Sequence, residues 1–472
     1  MSQRQLSANL SLVCTTLLAM GCSNSRSGLS PTAADGGGAP GLARLNHIVV
    51  VVLENWSFDS LYGQFAGADG LSNASSAATQ LDATGTPYPT LSQTETHLPQ
   101  TLPNGPFALD QYIPSSAGYS TDLTNNFYEE QRQIDGGKMD HFVLYDALAK
   151  GLSMGYYKTN GLVLPAEAVK YTLCDHFFHG VYGGSLQNHI FMISANVAAF
   201  PNAPASVKHA VLDANGMPVP DANGKLQEGP LTPDGHVVGT LYPAATPHPA
   251  STPAEQLVPA QAFPTIGDRL SEHGLDWAWY AEGWTATTSG ATLNDAGVDP
   301  KTLFQYNHQP FVYFDGYQEG GPKRAHLKDE ADFLTAAQAG TLPSVSFVKP
   351  DGVDDEHPNY TNLIGGEAHI ETLIDAVRNG PNWADTAIIV TYDENGGFWD
   401  HIAPPAGDQW GPGTRIPTFV VSPFAKKGFV DHTVYDTSSI LALIEHRWGL
   451  VALGTRDAVA ADLSNAFDFT QP

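Results

Sequence analysis

Residues 47–53 read HIVVVVL, an unbroken apolar and mostly β-branched run, and residues 387–392 read AIIVTY. A continuous run of this kind, with no polar residue on alternate positions, has to be covered on both faces, as strands of a parallel sheet are. Further strand candidates lie at Leu275–Tyr280, Ser344–Val348 and Ile416–Val421; residues 367–378 (EAHIETLIDAVR) carry apolar positions at helical spacing, and Thr121–Leu148 carries an amphipathic helical pattern around Phe127-Tyr128. Strands alternating with helices predict an α/β protein, a three-layer α/β/α sandwich around a mostly parallel sheet. Gly (46) and Pro (34) are plentiful, which favours many ordered loops over a compact bundle.

Each of the two strongest strands runs straight into acidic and amide residues: Glu54-Asn55 after the first, Asp393-Glu394-Asn395 after the second. Residues leaving parallel strands gather at the carboxyl edge of the sheet, where ligand sites of open α/β folds form. Three carboxylates and two amides brought together there repel unless something positive sits among them. One divalent metal ion is the simplest answer; oxygen donors suit Mg²⁺, Ca²⁺ or Mn²⁺ and tolerate Zn²⁺ or iron. The plainer alternatives are a helix cap for Asn55 or Ser57 and a solvated turn for Asp393-Glu394.

Ser185 follows Gly183-Gly184 and opens a predicted helix over 185–197 (SLQNHIFMISANV). Backbone N–H groups and the dipole at a helix N-terminus favour an anion, so the hydroxyl is a candidate activated nucleophile; the alternative is a simple capping serine. Three of the seventeen histidines fall near the expected edge: His308 in FQYNHQPF, His357 in DEHP and His401 in FWDH. Each can bind a phosphoryl oxygen or protonate a leaving group, or serve as a hydrogen-bonded loop histidine. His47 reads as structural, and His432 and His446 as surface or packing residues.

A formal net charge of −27 argues against nucleic acid and against a basic membrane-docking face. Arg4 and the short apolar stretch Leu10–Met20 read as an export signal over residues 1–21, with Gly21-Cys22-Ser23 matching a bacterial lipoprotein cleavage site. Residues 22–44 read as a flexible tether, so membrane contact is expected only through a lipid on Cys22, in an exported protein that is periplasmic, outer-membrane anchored or secreted. With Cys14 in the signal and Cys22 lipidated, Cys174 has no disulfide partner. Residues 45–472 form a single domain. Residues 198–264, rich in Pro, Ala and Gly with Ala-Asn-Gly turns at Ala214 and Ala222, read as a hairpin-bearing insertion.

Glu54-Asn55, Lys138-Met139-Asp140, Gly184-Ser185, Glu356-His357-Pro358, TYDENGGFWDH (391–401) and GPGTRIPTFVVSPFAKKG (411–428) together resemble the bacterial phosphoesterase family of acid phosphatases and phosphatidylcholine-hydrolysing phospholipases C. The resemblance runs from Leu45 to about Leu453 and implies a fold like that of alkaline phosphatases and sulfatases. It implies that Glu54, Asn55, Asp393 and Glu394 hold the metal, with Ser185 as a further ligand and as the nucleophile. It also implies that His308 and His357 contact the phosphoryl group. The chain departs from the family at Asn125 and Asn307, where relatives carry histidine; an amide there can bind a phosphoryl oxygen but cannot act as an acid. His401 is placed with them as a substrate-binding residue. Serine as nucleophile, with GGKMD at 136–140, resembles the acid-phosphatase branch. The expected substrate is thus a phosphate monoester, cleaved through a phosphoserine; a phospholipase C acting on phosphatidylcholine is the alternative, and a non-catalytic metal- or phosphate-binding lipoprotein a third reading.

Overall fold

A computed structural model describes residues 41–471, apart from 223–224, 290–292, 295–297 and 300. The export signal, Cys22 and most of the tether lie outside the described residues. Of the tether's last residues, Leu42–Arg44 form a 3-10 turn with Leu42 buried, so packed chain begins slightly before Leu45.

The first strand, β1 (His47–Leu53), lies in the middle of an eight-stranded sheet and is buried from Ile48 onward. The other strands are β2 (Thr172–Cys174), β3 (Trp277–Ala281), β4 (Leu327–Asp329), β5 (Val345–Lys349), β6 (Thr386–Tyr392), β7 (Thr418–Val421) and β8 (Phe429–Asp431). Their order is β8-β2-β7-β6-β1-β5-β3-β4. All neighbours are parallel except that β7 runs against β6 and β2. At about 1.5–3 kcal/mol for each buried aliphatic side chain, the six apolar residues of β1 contribute roughly 10 kcal/mol or more before ordering entropy.

Helices cover both faces. On one, α3 (Ser185–Ser194) packs with α4 (Ile266–Glu272) and α7 (Thr437–Trp448). On the other, α6 (Leu363–Arg378) packs with α2 (Val163–Ala168) and α5 (Glu330–Ala339). This is the expected α/β/α sandwich. The free thiol of Cys174 is buried at the end of β2.

Two expectations change in detail. The amphipathic pattern over 121–148 does not give one helix: α1 spans Phe127–Ile134 and a short turn of helix returns at Phe142–Tyr145. Asp135, Gly136 and Gly137 between them all have positive φ (43°, 62° and 97°), which no helix continues through. Residues 198–264 hold isolated bridges rather than long strands. One hairpin closes Leu212 on Pro218, another Pro220 on Leu226, and a 3-10 turn spans Ala254–Gln256. Among the described residues no helix is long and apolar enough to cross a membrane.

Candidate active site

The register of the central strands builds the site. Leu53 of β1 lies opposite Tyr392 of β6, and Asp393 N–H donates to the Leu53 carbonyl at 3.0 Å. Glu54 and Asp393 therefore leave the sheet side by side. Asn55 turns the chain with φ +69°, and its N–H donates to Asp393 Oδ1 (3.2 Å). Gly396 has φ +60° and lies against Asn55; a Cβ there would sit 2.2 Å from the Asn55 carbonyl oxygen, so only glycine fits. Asn395 spends its amide on the turn, donating to the Phe398 carbonyl at 3.0 Å, and takes no part in the site.

The capping alternative holds for Ser57 but not for Asn55, and the solvated turn does not hold. Ser57 caps the short helix Phe58–Tyr62 by accepting from Ser60 N–H, leaving Asn55 free of that role. Asp393 and Glu394 are wholly buried. Ser185 is the first helical residue of α3, whose cap is Gly184, and its Oγ donates to Glu54 Oε2 at 2.9 Å. One turn on, His189 lies on the same face, with Nε2 3.4 Å from Glu54 Oε1 and 3.9 Å from Asp393 Oδ2. Motif reading missed His189, although its i, i+4 spacing from Ser185 was a signal that could have found it.

Lys349, at the end of β5, is the other residue that motif reading missed. It is fully buried, with Nζ 3.1 Å from Glu54 Oε1 and 3.0 Å from Asp355 Oδ2. Burial alone would raise the Glu54 pKa, but Lys349, then His189, His308 and His357, outweighs it and holds this carboxyl below the usual range. Asp393 goes the other way: burial, then Glu54 and Glu394, pushes it well above the ordinary value. Burial, opposed by the Gly396 N–H and reinforced by Glu54, does the same to Glu394.

One lysine therefore leaves the carboxylates undercompensated. Asp393 Oδ2 is buried without a hydrogen-bond partner, and Glu54 Oε1, which accepts no hydrogen bond, is met by the Lys349 ammonium. One end of the Asn55 amide lies 2.9 Å from Glu394 Oε1 and 3.0 Å from Glu54 Oε2, and the other 3.0 Å from His357 Nε2. With NH₂ toward the carboxylates the amide donates to both. With its oxygen toward them, three acceptors face one another, an arrangement that a cation reconciles. The donor set Glu54, Asn55, Asp393 and Glu394, with the Ser185 hydroxyl beside it, fits a hard divalent ion.

Over these oxygens opens a polar cleft of about 150 Å³, lined in part by Ser185, Asn125, Asn307 and His357. Asn125 Nδ2 donates to Glu394 Oε1 at 2.6 Å, and Asn307 presents a buried, unpartnered Oδ1. The His357 ring stacks on Tyr360 at 3.9 Å between centroids. The insertion supplies Val238, Gly239 and Thr240 to the wall.

Two of the sequence candidates stand outside the cleft. His308 is fully buried behind Glu54, its Nε2 3.6 Å from Glu54 Oε1 and 3.7 Å from Asp355 Oδ2. Burial and Lys349 push its pKa well below the ordinary value, so it is neutral and unsuited to donate a proton as an imidazolium. His401 Nδ1 is 2.6 Å from Asp59 Oδ2 and its ring lies by Arg415, which also pairs with Asp59 and Asp400. That buried ion network occupies His401 away from the cleft lining.

The fold and site define an α/β protein with a serine beside a buried cluster of carboxylate and amide oxygens at the carboxyl edge of a mostly parallel sheet. A family model, the Phosphoesterase family, matches residues 45–451, and the chain belongs to that family. It is similar to a non-hemolytic phospholipase C of Pseudomonas aeruginosa, 24% identical over 477 residues that cover 91% of this chain and 58% of that protein. It is likewise similar to phospholipase C A of Mycobacterium tuberculosis, 24% identical over 490 residues, 92% of this chain and 80% of the relative. Among solved structures it is similar to a protein in the alkaline phosphatase superfamily from Vibrio parahaemolyticus, at 10% identity, 73% coverage of each chain and a TM-score of 0.33. Murine ectonucleotide pyrophosphatase/phosphodiesterase 5 is similar at 9% identity, 87% and 97% coverage and a TM-score of 0.33.

Proposed function

We propose that this protein is an exported, metal-dependent phosphoester hydrolase that cleaves phosphate monoesters through a phosphoserine on Ser185. The observation that carries the reading is the Ser185 hydroxyl, hydrogen-bonded to Glu54 Oε2 at 2.9 Å at the N-terminus of α3. Membership of the phosphoesterase family supports it. Glu54, kept ionised by Lys349, takes the hydroxyl proton as Oγ bonds to phosphorus. The bond from phosphorus to the ester oxygen breaks, and His357 gives that oxygen a proton. Water then attacks the phosphoserine: His357 takes its proton, the bond from phosphorus to Oγ breaks, and Glu54 returns its proton to Oγ, releasing inorganic phosphate and restoring Ser185. A divalent ion held by Glu54, Asn55, Asp393 and Glu394 would supply Lewis acidity and neutralise phosphoryl charge. Asn125 and Asn307 orient the phosphoryl oxygens as hydrogen-bonding groups without titrating. Uncatalysed monoester hydrolysis demands accelerations of up to ~10²¹-fold, and a general acid contributes only about 10²–10⁴. Charge and preorganised donors therefore do most of the work.

The cleft lining favours a monoester with a polar leaving group. Among the described residues that line it, Val238 is the single apolar side chain. A phospholipase C activity is the second reading, favoured by the names that the similar proteins carry. Turnover of a soluble monoester compared with a phosphatidylcholine dispersion separates the two: faster hydrolysis of the dispersion would overturn the monoesterase reading. Brief acid quench with ³²P-labelled monoester should trap label on Ser185. A stoichiometric metal or phosphate complex that neither turns over nor labels would leave a binding lipoprotein instead.

A further inference from the structure

On the face of the sheet opposite Ser185, a second group of acids gathers where β3 and β5 end. Glu282 follows Ala281, the residue in register with Lys349, and its N–H donates to the Lys349 carbonyl at 2.9 Å. Side chains alternate along a strand, so Glu282 faces away from the serine site, toward α5 and α6. Glu330 is the first residue of α5, and His369 comes from α6. His369 Nε2 lies 2.8 Å from Glu330 Oε1 and 3.8 Å from Glu282 Oε2, while its Nδ1 lies 3.7 Å from Asp354 Oδ2. Asp351 joins the group through its N–H, which donates to Glu282 Oε2 at 3.1 Å.

Three carboxylates, those of Glu330, Glu282 and Asp354, thus lie 2.8–3.8 Å from one imidazole, and among the described residues no lysine or arginine forms an ion pair with any of them. One imidazolium does not balance these three carboxylates once all are ionised. Glu330 sharpens the mismatch: it is only 3% exposed, its carboxylate points into the group, and Oε2 has no hydrogen-bond partner. Leaving such an oxygen unsatisfied costs about 1–3 kcal/mol, more if charged.

We propose that Glu282, Glu330 and His369, with Asp351 beside them, form a second divalent-cation site, separate from the oxygens around Ser185. Donors of a six-coordinate ion lie roughly 3 Å apart at bond lengths of about 2.1 Å, which the spacing around His369 Nε2 brackets. Carboxylates with a single imidazole suit a hard or borderline ion such as Mn²⁺ better than a thiolate-seeking one. The ion would pin the segment 350–358, which carries both Asp355, the partner of Lys349, and His357 in the cleft. Burial, helped by Glu330 and opposed by the Asp351 N–H, lifts Glu282 to about 7. Burial and Glu282 lift Asp351 to about 8.

Mn²⁺ binding to the full chain tests this, by equilibrium dialysis with electron paramagnetic resonance of the free ion. The chain stripped of metal should take up two equivalents, the E54Q/D393N variant one, and E330Q also one. Adding E330Q to E54Q/D393N should abolish uptake, with a native circular dichroism spectrum. If natively folded E54Q/D393N binds no Mn²⁺, or E330Q retains wild-type stoichiometry, the second site is overturned. Loss of a single wild-type equivalent on E330Q alone would instead uphold this site and remove the one beside Ser185. Should E54Q/D393N fail to fold, a step from two equivalents to one in E330Q upholds the second site, and no step overturns it.

Discussion

Lys349 is the residue on which the charge arrangement of the site turns. Its ammonium lies between Glu54 and Asp355, away from water, and compensates two buried carboxylates at once. Replacing it by methionine keeps the volume and leaves both acids unpaired, so Lys349→Met should lower unfolding stability by about 3–5 kcal/mol, read from urea denaturation of the metal-free protein. The reacting residues make a graded prediction. Ser185→Ala or Asp393→Asn should reduce monoester turnover to background, while His308→Ala, one shell behind Glu54, should keep a measurable fraction in steady-state assays. Similar small losses in all three would contradict the assigned roles. At this scale the acidic pairs and Ser185 were readable because they sit where strands and a helix begin or end. Lys349 was not, since a lysine before a proline looks like any exposed turn. His401 misled because nearness to Asp393 in sequence says nothing about its pairing with Asp59.

The elements explain how distant residues meet. β1 and β6 lie in parallel register, so the acids following Leu53 and Tyr392 emerge together, and α3 brings its first turn onto them. The contact between Gly396 and Asn55 keeps those two turns close. In Gly396→Ala a Cβ would meet the Asn55 carbonyl oxygen at 2.2 Å at a positive φ. That variant should lose activity far beyond its change in helix content, together with about 1–3 kcal/mol from the strained φ, measured by kinetics beside thermal unfolding. Long apolar runs made β1 and β6 plain in the sequence. The short strands β2, β4 and β8 have three residues each, too few for any periodicity, and were not predicted. The helix expected over 121–148 failed for a local reason: the backbone at Asp135 and the next two glycines takes left-handed angles that periodicity cannot report.

Across the whole molecule, buried acids set the pH response. Burial raises Asp146 to about 6, and burial with Asp457 raises Glu445 to about 8. Their folded forms hold protons more tightly than the unfolded chain, so their contribution is complete below about pH 4 and is lost as pH rises through those values. Asp175 acts oppositely. Burial would raise it, but hydrogen bonds from His176 and the Asp69 N–H, with the charge of His432, prevail and lower it. Its contribution is present above its unfolded value of 3.8 and fades as pH falls below that. Chelator-treated protein should accordingly melt at a higher temperature near pH 5 than at pH 8.5, by circular dichroism; a maximum above pH 8 would contradict it. The strand nearest the amino end is also the central one, gripped by a parallel neighbour on each side. If such a chain were moored by that end, tension would enter along β1 and strain both flanking ladders in shear at once, rather than peeling an edge open bond by bond.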